Sequence, residues 1–286
     1  MDHIKTWEEL TIQDNFLFQK VMQNKRICKK LIEEILQIKI KKITFPISEK
    51  SIDIRTNSKS VRLDVYVEDD ANTIYNIEMQ TSNPKNNQLE SELPKRTRYY
   101  QAMIDMDLIG KGKTYDELNQ TYIIFICTFD PFGQGQYAYT FRNICAEDTS
   151  LELQDQTTKL FLNAKGTKGT ATEHTKNFLN YVAGLPAQDS FTRMIDTEVI
   201  KTKKEEKWRR EYMTLEMELQ RHRKEGREEG REEGREEGRE EGREEGREEG
   251  IEKTALEMLR SKLDIDVIMK CTHLPLKRIH ELAKML

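Results

Sequence analysis

The spacing of apolar residues changes from a helical period to strand alternation after the first forty positions. Over residues 11–36, apolar side chains recur every three or four residues, which predicts one or two helices. The following segments alternate between apolar and polar positions, and they predict strands at 41–47, 52–55, 61–68 and 73–80. Residues 69–72, Asp-Asp-Ala-Asn, have turn chemistry, so we expect the last two strands to form a hairpin.

The middle of the chain continues this alternation of helix and strand signals. A polar segment from Pro84 to Met106 carries an apolar stripe and predicts a helix. Residues 120–129 form a dense β-branched and aromatic run, typical of a central strand that is buried on both faces. Residues 137–144 and 159–163 predict flanking strands. The order α-β-β-β-α-β indicates a mixed α/β core.

The C-terminal part is more polar and predicts helices. Over residues 189–224 the stripe of Trp208, Tyr212, Leu215 and Leu219 indicates a helix that packs on the core or on a partner. Residues 251–286 regain apolar periodicity and predict three short helices, with Asp264 as an N-cap and Pro275 in a first turn. This tail is either a small helix-turn-helix-like unit or a helical cap for self-association.

Between these parts lies an Arg-Glu-Glu-Gly repeat, residues 226–250. In a helix each interior glycine costs about 1 kcal/mol, and only the Glu-to-Arg i,i+3 pairs are favourable. The glycines fall on one stripe of such a helix, where a second backbone can approach closely. The repeat is therefore either a helical stalk stabilised by self-association or a flexible spacer, and we favour the stalk.

Composition narrows the class of protein. The 286 residues are 36% hydrophobic and 34% charged, which suits one sizeable core with appendages. The net charge of −4 conceals a repeat that contributes −6, so the rest of the chain carries +2 and neither demands nor forbids a nucleic-acid partner. Four scattered cysteines and no apolar run of membrane-spanning length indicate a reducing cytoplasm and no membrane segment.

Candidate chemistry lies in the predicted hairpin. Because strand side chains alternate, Asp64 points away from the core face of its strand, and Glu78 and Gln80 point away from the core face of the next. If the two strands pair through residues 69–72, Asp64 lies opposite or diagonal to Glu78. Two carboxylates suit Mg²⁺ or Mn²⁺, and the Gln80 amide suits a hydrogen bond to a phosphate or a water. The sequence thus favours phosphodiester hydrolysis.

Several motifs in order resemble a known family. The Asp64-x(13)-Glu78-x-Gln80 hairpin follows an Asp14-Asn-Phe-Leu-Phe-Gln-Lys helix start and precedes Arg98-Tyr-Tyr and Gly110-x-Gly-x-x-Tyr115-x-x-Leu118. This arrangement, over about residues 11–144, resembles the Rpn family of recombination-promoting nucleases and transposases, within the PD-(D/E)xK superfamily. The repeat-rich tail is also similar to the ends of many members.

The resemblance implies a restriction-endonuclease-like α/β fold in residues 1–200, a charged helical stalk in 201–250 and a small helical tail in 251–286. It implies Asp64 and Glu78 as ligands of Mg²⁺ or Mn²⁺, with Gln80 in the position of the usual catalytic lysine. Gln cannot act as a base or carry positive charge. Asp14 corresponds to the superfamily's first-helix acid or is an N-cap. Arg98 and Tyr100 contact phosphate or pack their helix against the sheet.

Two functions follow from these observations. The first is a cytoplasmic, metal-dependent DNA endonuclease associated with recombination or mobile elements. The alternative is a catalytically weak or inactive protein that binds DNA on the same fold and oligomerises through its tail. In both cases DNA is the partner and we expect a homo-oligomer formed through the stalk or tail.

Overall fold

A computed structural model describes residues 4–44, 46–52, 61–81, 88–109 and 112–286. The chain divides into two compact units, Met1–Thr214 and Leu215–Leu286. None of the helices in the described ranges has the length and apolar character needed to cross a bilayer. The three-part domain division expected from the sequence stays a prediction.

The first unit opens with two helices, α1 (Asn15–Met22) and α2 (Lys25–Leu36). Asn24 separates them, and its side chain accepts hydrogen bonds from the backbone N–H groups of Arg26 and Ile27. This capping satisfies donors that the first turn of α2 leaves free. The sequence prediction of one or two helices over residues 11–36 is confirmed as two.

One mixed sheet forms the centre of the first unit. Among the described residues it has six strands in the order β1-β2-β3-β4-β6-β5. The β3-β4 and β4-β6 pairs are parallel and the others are antiparallel. The predicted mixed α/β core is confirmed. The strands are β1 (Ile47–Ile52), β2 (Val61–Glu68), β3 (Ile74–Gln80), β4 (Thr121–Cys127), β5 (Ala138–Phe141) and β6 (Thr157–Asn163).

The turn between β2 and β3 has the chemistry that its sequence predicts. Asp69 Oδ1 accepts hydrogen bonds from the backbone N–H groups of Ala71 and Thr73, both at 2.8 Å. Asn72 has a φ of 61°, a left-handed conformation that Asn tolerates better than most residues. The hairpin that brings Asp64 towards Glu78 is therefore confirmed.

The strand predicted at 41–47 is wrong. Instead, residues 42–44 make an isolated bridge from Ile43 to Asp69 and two backbone hydrogen bonds, from Thr44 N–H to the Glu68 carbonyl and from Asp70 N–H to the Lys42 carbonyl, and regular pairing begins at Ile47. Pro46 has no N–H to donate, so it interrupts the ladder between these contacts. Of the strand predicted at 52–55, Ile52 ends β1 and residues 53–55 lie outside the described residues.

Helix α3 (Gln88–Leu108) packs on one face of the sheet. Its buried residues Leu93, Tyr100, Met103 and Ile104 join a cluster that includes Phe125 of β4 and Phe161 of β6. The helix predicted from Pro84 to Met106 is confirmed from Gln88 onward, whereas residues 82–87 and Gly110 lie outside the described residues.

The first unit is completed by α4 (Glu173–Val182) and α5 (Ser190–Lys204), of which α4 was not predicted. Its buried residues Thr175, Phe178, Leu179 and Val182 have helical spacing, so the signal was present in the sequence. Tyr212 of the predicted aromatic stripe packs on Trp7 and Phe16, and its hydroxyl donates to the Lys5 carbonyl at 2.7 Å.

The repeat lies within one long helix, α6 (Glu206–Arg260), which begins in the first unit and ends in the second. Helices α7 (Ile265–Thr272) and α8 (Leu276–Ala283) follow, with Ala255, Ile268, Ile279 and Leu282 in a small core. Asp264 caps α7 as predicted. Pro275 stands at the N-cap position of α8, one residue before the predicted first turn.

Candidate active site

The pairing of β2 with β3 ends where the two candidate carboxylates begin. The last regular pair is Val65 with Ile77. At the next position, Glu78 Oε1 accepts a hydrogen bond from the backbone N–H of Asp64 at 3.0 Å. Asp64 Oδ2 in turn accepts from the backbone N–H of Met79 at 3.3 Å. Each carboxylate thus binds the backbone of the other strand, and the two acidic groups meet where the ladder opens.

Helix α1 holds the Asp64 carboxylate from a second direction. Asn15 Nδ2 and Gln19 Nε2, one turn apart on the helix, donate to Asp64 Oδ1 at 2.9 and 3.0 Å. Neither residue was predicted from the sequence as part of the site. Their i,i+4 spacing on a predicted helix was visible, but nothing in the sequence alone joins that helix to β2.

Glu78 lies in a more enclosed environment than Asp64. Its side chain is 2% exposed, and Asn76 Nδ2 donates to its Oε1 at 3.2 Å. Burial raises the pKa of Glu78 well above its usual value, and the nearby Asp64 carboxylate raises it further. Burial also raises the pKa of Asp64, although hydrogen bonds from Asn15, Met79 and Gln19 act in the opposite direction.

Arg96 of α3 is the basic residue at this site. Its guanidinium donates to Gln80 Oε1 at 3.0 Å and to the Tyr100 hydroxyl at 2.8 Å, and it lies 3.6 Å from Glu78 Oε2. Burial acts against its charge, but Tyr100 and Glu78 raise the pKa of Arg96. The site therefore combines two carboxylates, four side-chain amides and one permanent cation.

Comparison with known proteins assigns the family. The model of the PD-(D/E)XK nuclease family transposases matches residues 15–238, which span α1, the whole sheet, α3 and most of α6. The chain belongs to this family. No curated protein and no solved structure matches the chain. Membership in the PD-(D/E)XK family supports a nuclease-like or transposase function, with DNA as the partner.

The structure brings three of the predicted site residues of this PD-(D/E)XK chain together and separates others. Asp64, Glu78 and Gln80 meet through the contacts above, and Tyr100 joins them through Arg96. Arg98 is exposed and lines a separate cavity beside β6. Asp14 is at the N-cap position of α1, but its carboxylate does not cap the helix. Instead, it accepts from the Thr11 backbone and pairs with Lys5 at 2.7 Å.

PD-(D/E)XK nucleases generally use divalent metal ions, and the donors here fit one. Within the described residues no three His, Cys, Asp or Glu side chains form a metal-binding group. Mg²⁺ requires only one or two carboxylates, because water and phosphate fill its other positions. Beside the carboxylates, two buried amide oxygens, Gln19 Oε1 and Asn76 Oδ1, have no hydrogen-bond partner among the residues that the structure describes. Such oxygens are suitable for a hard cation or its water ligands.

Proposed function

We propose that this chain is a divalent-metal-dependent DNA endonuclease that hydrolyses phosphodiester bonds in recombination or the movement of mobile elements. The observation that carries the proposal is the reciprocal bonding of Asp64 and Glu78 across the end of the β2-β3 ladder. A buried pair of like charges is unfavourable by itself. It becomes favourable when a cation lies between the two groups.

Asp64 and Glu78 would hold Mg²⁺ or Mn²⁺. A divalent ion at such a site polarises a phosphate oxygen and lowers the pKa of an attacking water. Asn15 and Gln19 keep the Asp64 carboxylate fixed through hydrogen bonds to Oδ1. Asn76 does the same for Glu78. Side chains fixed in this way lose little freedom when a ligand binds, which favours both affinity and orientation.

Arg96 supplies the positive charge that the chain lacks at position 80. The sequence Glu78-Met79-Gln80 departs from the (D/E)XK pattern, because Gln stands where the pattern has Lys. The Gln80 oxygen is bound by Arg96, while its amide nitrogen has no partner among the described residues and is available to a phosphate oxygen. Arg96 stabilises negative charge on the phosphate, but it cannot act as a base.

The rival function is a DNA-binding protein on the same fold with little or no cleavage. The specific observation in its favour is Gln80 itself, because no described side chain at the site is a neutral amine that could accept a proton. Under this function, DNA binding would persist without divalent ions and no cation would produce cleavage.

A nicking assay tests the proposal. The purified full chain is incubated with supercoiled plasmid and Mg²⁺ or Mn²⁺, with EDTA as a blank. We expect nicking by the wild type and a loss of at least about 100-fold in Asp64→Asn and Glu78→Gln. Glu68→Gln is the matched control, because Glu68 is the last residue of β2, and it should cleave as the wild type does. Equal nicking by wild type and Asp64→Asn would remove the proposal.

A further inference from the structure

The cavity that Arg98 lines, of about 420 Å³, lies beside α3 in the first unit. Phe132, Phe141 and Phe161 form its apolar wall, and Arg98 and Lys159 supply two basic side chains. We call it the aromatic pocket. Its volume is within the range of small-molecule binding sites. No carboxylate is among its lining residues.

Phe132 and Phe141 form the open aromatic corner of the aromatic pocket, and Phe161, which is 2% exposed, lies buried behind them. The Phe132 ring centroid lies 5.1 Å from those of both Phe141 and Phe161. The Phe141 and Phe161 rings are almost perpendicular, at 89°. Phe141 is 43% exposed, so part of this aromatic surface faces solvent. A flat aromatic ligand can stack on one ring and contact the edge of another.

The sheet register places the aromatic pocket next to the carboxylates. Glu78, Phe125 and Phe161 are directly paired across β3, β4 and β6, so their side chains form one row on the same face of the sheet. With about 4.8 Å between neighbouring strands, Phe161 is about 10 Å from Glu78 at the level of the backbone. That distance is about three base steps of a B-form strand.

The charge of the aromatic pocket favours a polyanion. Arg98 is exposed and has no hydrogen bond or ion pair in the part of the chain that the structure describes. Lys159 donates a long hydrogen bond, 3.4 Å, to the Thr157 hydroxyl, and it also interacts electrostatically with Asp105 and Asp155, which do not line the pocket. Aromatic rings for stacking, combined with basic groups for phosphates, are the features that bind unpaired nucleic-acid strands. An apolar peptide would have no need of the two cations.

We propose that the aromatic pocket binds one unpaired base of the DNA strand whose phosphodiester bond lies at Asp64 and Glu78. Arg98 and Lys159 contact the phosphates on either side of that base. A base within a duplex is covered by its stacked neighbours and cannot enter such a corner. The inference deepens the proposed nuclease function, and it specifies the substrate as DNA with a single-stranded or unpaired segment within about three nucleotides of the cut.

A binding measurement in EDTA tests this proposal separately from cleavage. Fluorescence anisotropy of the full chain is recorded with a short labelled single strand and with the blunt duplex of the same sequence. The test variant is Phe141→Ala, and Phe141→Tyr is the conservative variant that keeps a ring for stacking. Tyr115→Ala is the matched control, because Tyr115 is an aromatic residue that is 85% exposed outside the aromatic pocket.

We expect the wild type to bind the single strand more tightly than the duplex. Phe141→Ala should lose about 5- to 100-fold in affinity for the single strand and less than about twofold for the duplex. Phe141→Tyr and Tyr115→Ala should bind as the wild type does. Arg98→Gln should weaken binding. It should also reduce the slope of log affinity against log salt concentration by about one released counterion.

Three results would overturn the proposal: unchanged single-strand affinity in Phe141→Ala, an equal loss for single strand and duplex, or no DNA binding by the wild type. If Phe141→Ala lowered the sedimentation mass of the protein but left DNA binding unchanged, the proposal would also fail, and the aromatic pocket would be assigned to contact with a second copy of the chain. Since the measurement needs no metal, cleavage with unchanged binding by Phe141→Ala removes only this inference. Binding that depends on Phe141, without cleavage by the wild type, removes only the nuclease.

Discussion

Glu78 accepts a hydrogen bond from the Asp64 backbone N–H at 3.0 Å, while the Asp64 carboxylate accepts one from the Met79 backbone at 3.3 Å. Two acidic side chains thus take the place of a rung of the β2-β3 ladder. Both are buried, and burial raises the pKa of each. The metal-free protein therefore holds two groups that compete for ionisation, and a divalent cation relieves that competition.

Removing one of these charges should stabilise the metal-free fold. The pKa values of Asp64 and Glu78 are raised in the folded state, so the folded protein binds more protons than the unfolded chain between the ordinary and the raised values. Stability is therefore lost as the pH rises through that interval. In EDTA at pH 8 we expect Glu78→Gln to melt about 2–4 °C above the wild type, or about 1 kcal/mol.

The same comparison of melting temperatures at pH 4 checks the predicted direction of the pH dependence. At pH 4, below the interval over which the raised pKa of Glu78 costs stability, less of that cost is present, so the difference in melting temperature should be smaller than at pH 8. Calorimetry at the two pH values measures it. If Glu78→Gln melted below the wild type at pH 8, the ionised Glu78 carboxylate would not destabilise the metal-free fold.

Arg96 should contribute to turnover through its charge. Arg96→Met keeps much of the apolar stem and removes the guanidinium that binds Gln80 and approaches Glu78. We expect kcat for plasmid nicking to fall about 100- to 1,000-fold, as for the loss of one donor to a transition state. Arg96→Lys should recover part of this loss, because the charge returns without the fork geometry.

Lys95→Met is the matched control for charge on the same helix, since Lys95 is exposed. It should leave kcat unchanged and raise KM slightly through weaker DNA attraction. If Arg96→Met and Lys95→Met gave the same small change in kcat, Arg96 would have only a structural role.

Gln19 should support metal binding without contacting the DNA substrate. Its amide nitrogen donates to Asp64 at 3.0 Å, and its oxygen is a buried acceptor without a partner in the described part of the chain. Gln19→Leu removes both groups at similar volume. We expect about a 10- to 100-fold loss in Mn²⁺ affinity, measured by calorimetric titration. Gln23→Leu, just after α1, removes a bond to Ser48 instead and should bind Mn²⁺ normally.

The repeat allows a test of the predicted oligomer. A Cβ placed on any of its seven glycines, Gly226 to Gly250, would meet no atom within 4 Å in the single chain. Alanine at all seven should therefore raise helix stability by up to about 1 kcal/mol per site. If the glycines allow a second helix to approach, the same variant should lose self-association in sedimentation. An unchanged oligomer with alanines throughout would exclude the glycine contact.

Local signals were sufficient to predict the hairpin, because alternation sets the face of each side chain and residues 69–72 set the turn. Asp64 and Glu78 could therefore be paired in advance. The 41–47 strand failed because apolar alternation says nothing about the missing donor of Pro46, which interrupts the ladder in the structure.

The surrounding site could not be predicted, because it depends on contacts between elements distant in sequence. Asn15 and Gln19 reach Asp64 from a helix some fifty residues earlier, with sequence separations of 49 and 45. Arg96 and Arg98 are two residues apart on α3, and only packing on the sheet directs the first to Gln80 and the second to the aromatic pocket. Helical periodicity alone does not distinguish them.

The most direct test of the account is Mn²⁺ binding, followed by electron paramagnetic resonance, in the wild type, Asp64→Asn, Glu78→Gln and the double variant. If one ion bridges the two carboxylates, each single variant should lose Mn²⁺ affinity. The double variant should then bind Mn²⁺ no more weakly than either single variant does. Mn²⁺ binding by Asp64→Asn and Glu78→Gln with wild-type affinity would contradict a shared metal site at the end of the β2-β3 ladder.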